Sequence, residues 1–428
     1  MKRGLLVFED GHWPKLSPLA DLTPVPYLRF GVSTLLGRWC EVAGVPLWAV
    51  EMRREVAVAA SEPELDPADY GPGDEILAIN AAALPSPGWL AQAFDAPNRS
   101  LFRCGDRLVG ARLPFREAQK LAGAGAACEE RLLALGLDRV ALEVEFLTWP
   151  WDFVSRNAAA LMQDLLGEEG GVDGSVHPSA VLLNPERVSV GEDSVVDALA
   201  VLDAREGTVL IGPGVYVAPH TVVVGPCVVE GGTELLGGVI ARSSIGPECR
   251  IAGEVEECIW QGYANKRHHG FVGHSVIGEW VNLGALTTTS DLKNNYGPVR
   301  VWADGAERDS GSTKVGSFLG AHVKTGIGTL LPTGCSIGVG SNLFGGGRFA
   351  PKRVPAFAWW DGELTVEHRL EAFLETARRA MRRRDVDLTD AHARLLSAAF
   401  VESAAERAAL TGRAAGAAAG PGRVGLCR

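Results

Sequence analysis

Long apolar runs and paired cysteines are what this sequence of 428 residues lacks. It contains no stretch of 18 or more uninterrupted apolar residues, and its start, MKRGLLVFEDGHW, turns acidic and polar before a secretory apolar segment is complete. We therefore expect a cytoplasmic protein with no membrane partner. The eight cysteines are scattered without a C-x-x-C pair. That spacing favours buried, small apolar side chains over disulfides or metal ligands.

Positive charge is also scarce. The chain has 41 basic against 52 acidic residues, a formal net charge of −11, which excludes a general polyanion binder and a nucleic-acid partner. Hydrophobic residues make up 46% and charged residues 22%, a balance that excludes a wholly disordered chain. The length predicts two or three domains.

The first part of the chain alternates between two patterns. Short apolar runs such as LLVF at 5–8 and EILAIN at 75–80 are typical of strands, whereas WPWDFVSRNAAALMQDLLG at 149–167 has helical spacing. Alternating strands and helices predict an α/β domain over residues 1–170.

A six-residue repeat follows, over residues 175–360. Aliphatic residues recur at this spacing with Gly, Pro or Ala between them. One unbroken series is Ile211, Val217, Val223, Val229 and Leu235. Three such units form a triangular coil, with aliphatic side chains inside and Gly or Pro at the corners, so the pattern predicts a parallel β-helix. The alternative is a β-sandwich with glycine turns.

Two segments break the period, at 261–274 (QGYANKRHHGFVGH) and at 287–314. Interruptions of a solenoid usually form loops that project from one face, and such loops commonly carry function. Chemistry is therefore expected in these two segments.

The last part of the chain predicts a helical extension over residues 363–410. The segments 365–384 and 388–410 have helical spacing. The arginine cluster at 378–384 is better explained as a solvated helix end than as a phosphate site. The Ala/Gly-rich tail, 411–428, is predicted to be disordered.

Several motifs carry a family resemblance. The six-residue period resembles that of the left-handed parallel β-helix acyltransferases, whose trimers bind acyl-coenzyme A between neighbouring coils. The segment ANKRHHGFVGHSVIGEWVNLGALT (264–287) is similar to the acetyltransferase half of the bifunctional bacterial enzymes that acetylate glucosamine 1-phosphate and then uridylylate the product. PLADLTPVPYLRFGVSTLLGRW (18–39), WDFVSRN and DLKNNYGPVR resemble a little-characterised branch related to those enzymes.

The resemblance implies a fold and a reaction. The fold is an α/β nucleotidyltransferase-like N-terminal domain, then a left-handed parallel β-helix, in a homotrimer. The reaction is acetyl-CoA-dependent N-acetylation of an amino-sugar 1-phosphate, in UDP-N-acetylglucosamine or related sugar-nucleotide biosynthesis. Mg²⁺ would be needed only for a uridylyltransferase step that uses UTP, and only if the N-terminal domain is active.

The resemblance also assigns site residues. His268 falls on the catalytic histidine, Phe271 on the family's tyrosine, Asn282 on the asparagine of the Gly-Ala turn, and Asn295–Tyr296 on a later Asn-Tyr pair. His268 is then the base, since an imidazole exchanges protons near neutral pH. The backbone amides of Gly284 and Ala285 would face the acyl-CoA thioester.

This chain keeps fewer of the family's basic residues for binding the acceptor phosphate. Basic candidates for contact with it are Lys266, Arg267, Lys293 and Arg300. A lysine pair of the family is replaced by Glu254, Glu256 and Glu257, and Arg242 lies near, though not on, the family's phosphate-binding arginine.

The N-terminal loop departs from the family as well. Active sugar nucleotidyltransferases carry an Ala-Ala-Gly-x-Gly-Thr-Arg-type loop, whose glycine amides approach the phosphates. This chain has VFEDGHWPKLSPL at 7–19, with Glu9 and Asp10 where small residues belong. Lys15 and Arg29 are the nearest phosphate candidates. We expect altered or lost activity, leaving a ligand sensor or a transfer reaction with a differently built loop.

Two alternatives stay open. His269 and His274 resemble the paired metal histidines of γ-class carbonic anhydrases, with His220 or His322 as a third ligand. The chain could also be a trimeric sugar-nucleotide-binding scaffold without turnover. The order of His268, Asn282 and Asn295–Tyr296 favours the acetyltransferase.

Overall fold

The computed structural model describes residues 2–58, 65 and 70–410. The N-terminal strands are β1 (Arg3–Phe8), β2 (Arg29–Phe30), β3 (Ser33–Thr34), β4 (Leu47–Glu51), β5 (Glu75–Asn80), β6 (Ser100–Cys104), β7 (Arg107–Pro114) and β8 (Asp138–Ala141). The helices are α1 (Leu35–Ala43), α2 (Arg54–Ala57), α3 (Pro87–Asp95), α4 (Phe115–Ala118), α5 (Cys128–Ala134) and α6 (Pro150–Asp164), with 3-10 turns at Trp13–Leu16, Val25–Tyr27 and Gly125–Ala127.

The main N-terminal sheet has the strand order β4-β1-β5-β7-β6-β8, in which only β7 is antiparallel to its neighbours. Side chains alternate across a strand, so β1 serves two cores. Leu5 and Val7 pack in one hydrophobic cluster, while Leu6 and Phe8 pack in another on the opposite face. Helices cover both faces, as an α/β domain requires.

A parallel solenoid follows. Its first strands are β9 (Gly171–Val172), β10 (Ser175–Val176), β11 (Val181–Leu183), β12 (Val188–Val190), β13 (Val195–Val196), β14 (Val201–Asp203), β15 (Val209–Ile211), β16 (Tyr216–Val217), β17 (Thr221–Val224), β18 (Cys227–Val229), β19 (Glu234–Ala241), β20 (Ser244–Ile245), β21 (Arg250–Glu256) and β22 (Ile259–Trp260). A 3-10 turn lies at Pro185–Arg187.

The later strands are β23 (Asn265–Lys266), β24 (Phe271–Gly273), β25 (Val276–Ile277), β26 (Asn282–Leu283), β27 (Thr288–Thr289), β28 (Arg300–Ala303), β29 (Ala306–Asp309), β30 (Ser317–Leu319), β31 (Lys324–Thr325), β32 (Leu330–Leu331), β33 (Cys335–Ile337), β34 (Asn342–Leu343), β35 (Arg353–Val354), β36 (Ala358–Trp360) and β37 (Thr365–Glu367). Successive coils pair in parallel on three faces, and β28–β29 and β36–β37 are antiparallel hairpins.

The six-residue series lies inside the coil as predicted. Ile211, Val217, Val223, Val229 and Leu235 are each at most 1% exposed and belong to one hydrophobic cluster. Each coil leaves its aliphatic side chains uncovered until the next coil stacks on it, so the repeat and the fold support each other. The predicted fold class is confirmed.

The two interruptions behave differently. Residues 261–274 stay in the coil, because β23 and β24 both pair with β21. Residues 287–314 leave it only in part: β27 still pairs in parallel with β32, and the chain then departs as the hairpin β28–β29. That hairpin packs into the N-terminal domain instead of projecting into solvent: Val301 is fully buried in the cluster that contains Leu16 and Trp151, and the Arg308 guanidinium lies 4.7 Å over the Trp149 ring.

The C-terminal helices α7 (Leu370–Arg382), α8 (Asp390–Glu402) and α9 (Ala404–Leu410) cover one corner of the solenoid. At that corner Trp280, His322 and Phe357 adopt positive φ, and Phe373 of α7 lies edge-on to His322 at 5.8 Å and to Phe357 at 5.0 Å. Burial of these rings explains why helices follow the coil. The tail predicted to be disordered lies outside the described residues.

Candidate functional site

The loop that carries His268 is a short connection inside the coil. It joins β23 to β24, and the side chains of His268 and His269 are exposed. At Gly270 φ is +133°, and an added Cβ would come within 2.2 Å of the Thr287 carbonyl oxygen. Only glycine permits this close stacking of adjacent coils, which places the His268 loop directly beside the Gly284–Thr287 turn.

Lys266 holds this loop from inside. It stands at an inward position that other coils fill with Ile251 or Leu283, and its Nζ donates to the carbonyls of Ala252 at 3.0 Å and His268 at 2.7 Å. Burial lowers the pKa of this ammonium to about 8. The structure thus places Lys266 under the His268 backbone, away from the surface where an acceptor phosphate would bind.

Asn282 and the Gly-Ala turn lie one coil further on. The Asn265 side-chain amide donates to Asn282 Oδ1 at 2.6 Å, which forms a polar ladder between coils. The Gly284 amide donates to the carbonyl and hydroxyl of Thr325. This amide is therefore occupied within the solenoid, which leaves Ala285 as the candidate oxyanion donor of the predicted pair.

Four more predicted contacts lie in the loop that enters hairpin β28–β29 and at the start of β28. Asn295 and Tyr296 are exposed, and Asn295 Oδ1 accepts the Gly297 amide at 3.1 Å. Lys293 donates to the Pro298 carbonyl at 2.6 Å. Arg300 lies 3.6 Å from a Glu307 carboxylate oxygen. Asn295 and Tyr296 are thus exposed, whereas the two cations bond within their own segment.

A chain of charged side chains, buried at His274 and half-buried at Arg242 and Glu257, lies at the root of this loop. His274 Nδ1 lies 2.8 Å from Asp291 Oδ2, and its Nε2 lies 3.3 Å from Glu257 Oε2. Burial by itself would lower the pKa of His274, but the two carboxylates raise it to about 9. Arg242 continues the chain, pairing with Glu256 and Glu257. Sequence reasoning missed this chain, since nothing local signals that residues 242, 257, 274 and 291 meet.

Two further side chains of reactive type, His274 and Cys258, are engaged inside the solenoid. Both ring nitrogens of His274 face carboxylates, and no group of three or more His, Cys, Asp or Glu that could hold a metal ion occurs within residues 2–58, 65 and 70–410. Cys258 is fully buried, its Sγ contacts the carbonyls of Glu256 and Val272, and burial raises the pKa of its thiol. A thiol in that state is not a nucleophile.

The loop after β1 is held closed by ion pairs and hydrogen bonds. Glu9 is 2% exposed and accepts from the Arg53 guanidinium at 2.9 and 3.0 Å and from the backbone of Val25. Asp10 accepts from Arg107 at 2.8 Å and from Asn80 at 2.7 Å. Both carboxylates therefore form ion pairs and hydrogen bonds inside the domain.

The two basic candidates for the nucleotide have other partners. Arg29 is buried and makes a bidentate pair with Glu230 of the solenoid at 2.5 and 2.7 Å, while Lys15 lies 5.7 Å over the Trp149 ring. Arg29 therefore connects the domains instead of facing a phosphate.

A cavity of about 990 Å³ persists in the N-terminal domain. It lies at the carboxyl ends of β6 and β8 and against α6, a usual position for ligands in open α/β sheets. Trp89, Leu142 and Ala160 line it, with Arg103 and Arg156 among its polar groups.

Comparison with known proteins locates one match within the N-terminal domain. Residues 5–169 match the family model of sugar nucleotidyl transferases. The chain is 27% identical over 198 residues to a bifunctional sugar-1-phosphate nucleotidylyltransferase/acetyltransferase of Sulfurisphaera tokodaii, covering 46% of this chain and 44% of that protein. It is 26% identical over 222 residues to the bifunctional protein GlmU of Methanococcus vannielii, covering 51% and 48%.

Among solved structures, the Arabidopsis UDP-N-acetylglucosamine acyltransferase matches with 15% identity and a TM-score of 0.23, over 55% of this chain and 95% of that one. No helix in the described part of the chain is long and apolar enough to cross a membrane. The chain spans less than half the length of the curated relatives named above. The resemblance inferred from the sequence is confirmed at this level: the N-terminal part is similar to sugar nucleotidyl transferases, and the chain is similar, at low identity, to bifunctional sugar-phosphate nucleotidyltransferase/acetyltransferases.

Proposed function

We propose that this protein is an acyl-CoA-dependent N-acyltransferase that acts on the amine of an amino sugar, with acetyl-CoA as donor. The observation that carries the proposal is the position of His268. Its imidazole is exposed on a loop, and Lys266 holds the backbone of that loop from inside the coil. Close coil stacking at Gly270 sets the loop against the Gly284–Thr287 turn. An exposed base held on a rigid element beside a backbone turn suits acyl transfer.

The reaction uses few groups. His268 accepts a proton from the acceptor nitrogen as that nitrogen attacks the thioester carbonyl, and the Ala285 amide donates to the oxyanion that forms. Collapse breaks the carbon–sulfur bond, and His268 returns the proton that it accepted to the thiolate, which leaves as free coenzyme A. Asn282, Asn295 and Tyr296 contact the sugar hydroxyls. Transfer is direct, because Cys258 is sealed inside the coil.

A homotrimer completes the site in this proposal. Exposed apolar side chains lie along one edge of the solenoid beside the Gly-Ala turn. They are Leu286, Ile327, Phe344 and Phe349. A row of this kind on a soluble protein favours burial against another copy of the chain.

The N-terminal domain does not transfer nucleotides in this proposal. In place of an open phosphate-binding loop, Glu9 and Asp10 form ion pairs with Arg53 and Arg107. A second candidate function, sugar-nucleotide binding without turnover, is favoured by the cavity beside α6.

The test is acetyl transfer by the full chain, read as free thiol release from acetyl-CoA with glucosamine and glucosamine 1-phosphate as acceptors. His268→Ala should lower kcat about 10²–10⁴-fold, as removal of a general base does. His269→Ala is the matched control, since His269 is the next residue and is equally exposed, and it should keep most of the activity. Full activity in His268→Ala, with an unchanged melting temperature, would remove the assignment.

A further inference from the structure

The His268 turn, which joins β23 to β24, is held from two sides by the coil. On one side, Lys266 Nζ donates to the His268 carbonyl at 2.7 Å. On the other side, the next carbonyl, that of His269, accepts the Leu286 amide at 2.9 Å. Leu286 directly follows Ala285, the proposed oxyanion donor. The backbone that carries the proposed base is therefore bonded to the turn that carries this donor.

The Lys266 ammonium lies between two stacked turns. Its Nζ also donates to the Ala252 carbonyl of the preceding coil at 3.0 Å. Gly253 leaves room for it, since a Cβ added there would lie 3.0 Å from Nζ and 2.7 Å from the Gly270 carbonyl oxygen. Lys266 is fully buried. One side chain thus joins the preceding coil to the His268 turn, and without its ammonium two carbonyls lose this donor.

The positive charge strengthens both hydrogen bonds, because an ionised donor binds roughly twice as strongly as a neutral one. Burial alone lowers the pKa of Lys266 to about 8, so the weaker, neutral donor forms as pH rises through that value. The inward neighbours of Lys266 on the flanking strands are the aliphatic Ile251 and Leu283. The charged or titratable side chains of these strands and of the His268 turn stand at outward or exposed positions: Arg250, Glu254, Glu256, Arg267, His268 and His269.

We infer that Lys266 is a positioning residue: its ammonium fixes His268 against the Gly284–Thr287 turn, and acyl transfer depends on that contact. The inference rests on the proposed function, from which it takes the roles of His268 and Ala285. Lys266 touches neither the acceptor nor the thioester, because it is enclosed in the coil. A displacement of about 1 Å in a reacting group can lower a rate about 100-fold, so the backbone contact matters for turnover.

The experiment measures kcat and KM of the full chain by thiol release from acetyl-CoA, with glucosamine and glucosamine 1-phosphate as acceptors. Lys266→Met removes the ammonium and keeps a long apolar side chain beside Ile251 and Leu283. It should lower kcat at about pH 7 by about 10–100-fold and change KM by less than about threefold. Full kcat in this variant overturns the inference.

Lys324→Met is the matched control. The Lys324 Nζ also donates to two coil carbonyls, those of Trp280 at 2.6 Å and His322 at 3.2 Å, but at the corner that α7 and α8 cover. Its loss should leave kcat within about threefold of the wild type, because it does not hold the His268 turn. A loss of kcat equal to that of Lys266→Met would mean that any buried lysine of the solenoid has this effect, and it overturns the inference.

The pH profile separates positioning from a general loss of structure. The ratio of wild-type kcat to Lys266→Met kcat cancels the pH effects that both proteins share. This ratio should be largest below about pH 7 and fall about threefold or more by pH 9.5, since the neutral amine holds the two carbonyls less strongly. A ratio that does not change with pH overturns the inference.

Amide hydrogen exchange of the wild type tests the same contact without activity and without a variant. It decides the inference if Lys266→Met does not fold, or if the wild type releases no thiol with either acceptor, which is failure of the proposed function alone. After correction for the intrinsic effect of pH, protection of the Leu286 amide should fall as pH rises through about 8. Protection of the Asn282 amide, which donates to the Val323 carbonyl, should stay constant. Leu286 protection that is independent of pH overturns the inference.

Discussion

At the scale of single residues, the role of His274 in the structure differs most from the role that its spacing suggested. By spacing it resembles a metal ligand, but the structure places its imidazole between the carboxylates of Asp291 and Glu257. Sequence spacing shows which side chains could share a face, whereas the protonation state depends on groups that arrive from other coils. The result is a buried imidazolium that ties three coils together.

The His274 contacts predict a pH dependence of stability. The folded pKa, about 9, lies above the usual 6.5, so the stabilisation is fully present below about pH 6.5 and is lost as pH rises through about 9. The shift corresponds to about 3 kcal/mol at most. Urea unfolding of wild type and His274→Gln at pH 6, 7.5 and 9.5 measures it. The free-energy difference between the two proteins should fall with pH, and a constant difference would contradict the assignment.

The burial of Lys266 likewise depends on contacts that the sequence does not show. Its neighbours in sequence, Arg267 and His268, are exposed, yet the strand alternation of β23 turns its own side chain into the solenoid. A lysine is rarely buried without partners, and the two carbonyls that satisfy it belong to different coils. Residue type predicted a phosphate contact, while register decided burial.

At the scale of elements, the loop after β1 replaces a phosphate cradle with two ion pairs. Glu9 with Arg53 and Asp10 with Arg107 bring together strands that are far apart in sequence. An open glycine loop leaves its amides free for phosphate, whereas here the carboxylates fill the space with negative charge. The sequence predicted a departure from the family's loop, but it did not predict the arginines that pair with these carboxylates.

This loop predicts that the chain does not transfer nucleotides. Incubation with UTP, Mg²⁺ and a sugar 1-phosphate should release no pyrophosphate above the level without protein, because no cradle holds the triphosphate. A coupled pyrophosphate assay measures this, with added pyrophosphate as the positive control. Release that depends on the protein would mean that the stapled loop opens and would refute the prediction.

The hairpin β28–β29 is the element whose position was least predictable. The break in the six-residue period marked 287–314 as leaving the coil, and the chain does leave it after β27. Its apolar residues Val301 and Ala303 then found their partners in the N-terminal domain. A hairpin of four-residue strands is only marginally stable alone, so its place depends on a surface supplied by another domain.

At the scale of the whole molecule, the two domains are joined by a buried ion pair. Arg29 and Glu230 form a bidentate contact across the domain boundary. The Arg29 side chain is 7% exposed and that of Glu230 is 30% exposed. Loss of the arginine would leave the glutamate only partly solvated.

Arg29→Met should therefore destabilise the protein by about 1–3 kcal/mol, less than for a fully buried pair because Glu230 reaches solvent. Arg205→Met removes the exposed pair with Asp203 and serves as the control, for which we expect little or no change in stability because solvent screens exposed pairs. Urea unfolding measures both. Equal midpoints for the two variants would show that the Arg29 contact does not couple the domains.

The sequence by itself determined the elements that repeat or alternate. A period of six places Ile211, Val217 and Val223 inside a coil, and alternating strand and helix patterns predict the α/β domain, because both signals are local and recur along the chain. It also predicted the His268 loop and the Asn282 turn as the site, through motifs that keep their order.

Only the tertiary structure decided how charges pair. Arg29 meets Glu230 across about 200 positions, and Glu257, His274 and Asp291 meet through the stacking of coils. Such contacts depend on register and on domain docking, which no local pattern records. A charged residue in the sequence could equally be solvated, paired or bound to a ligand, and the choice is made by the neighbours that folding brings to it.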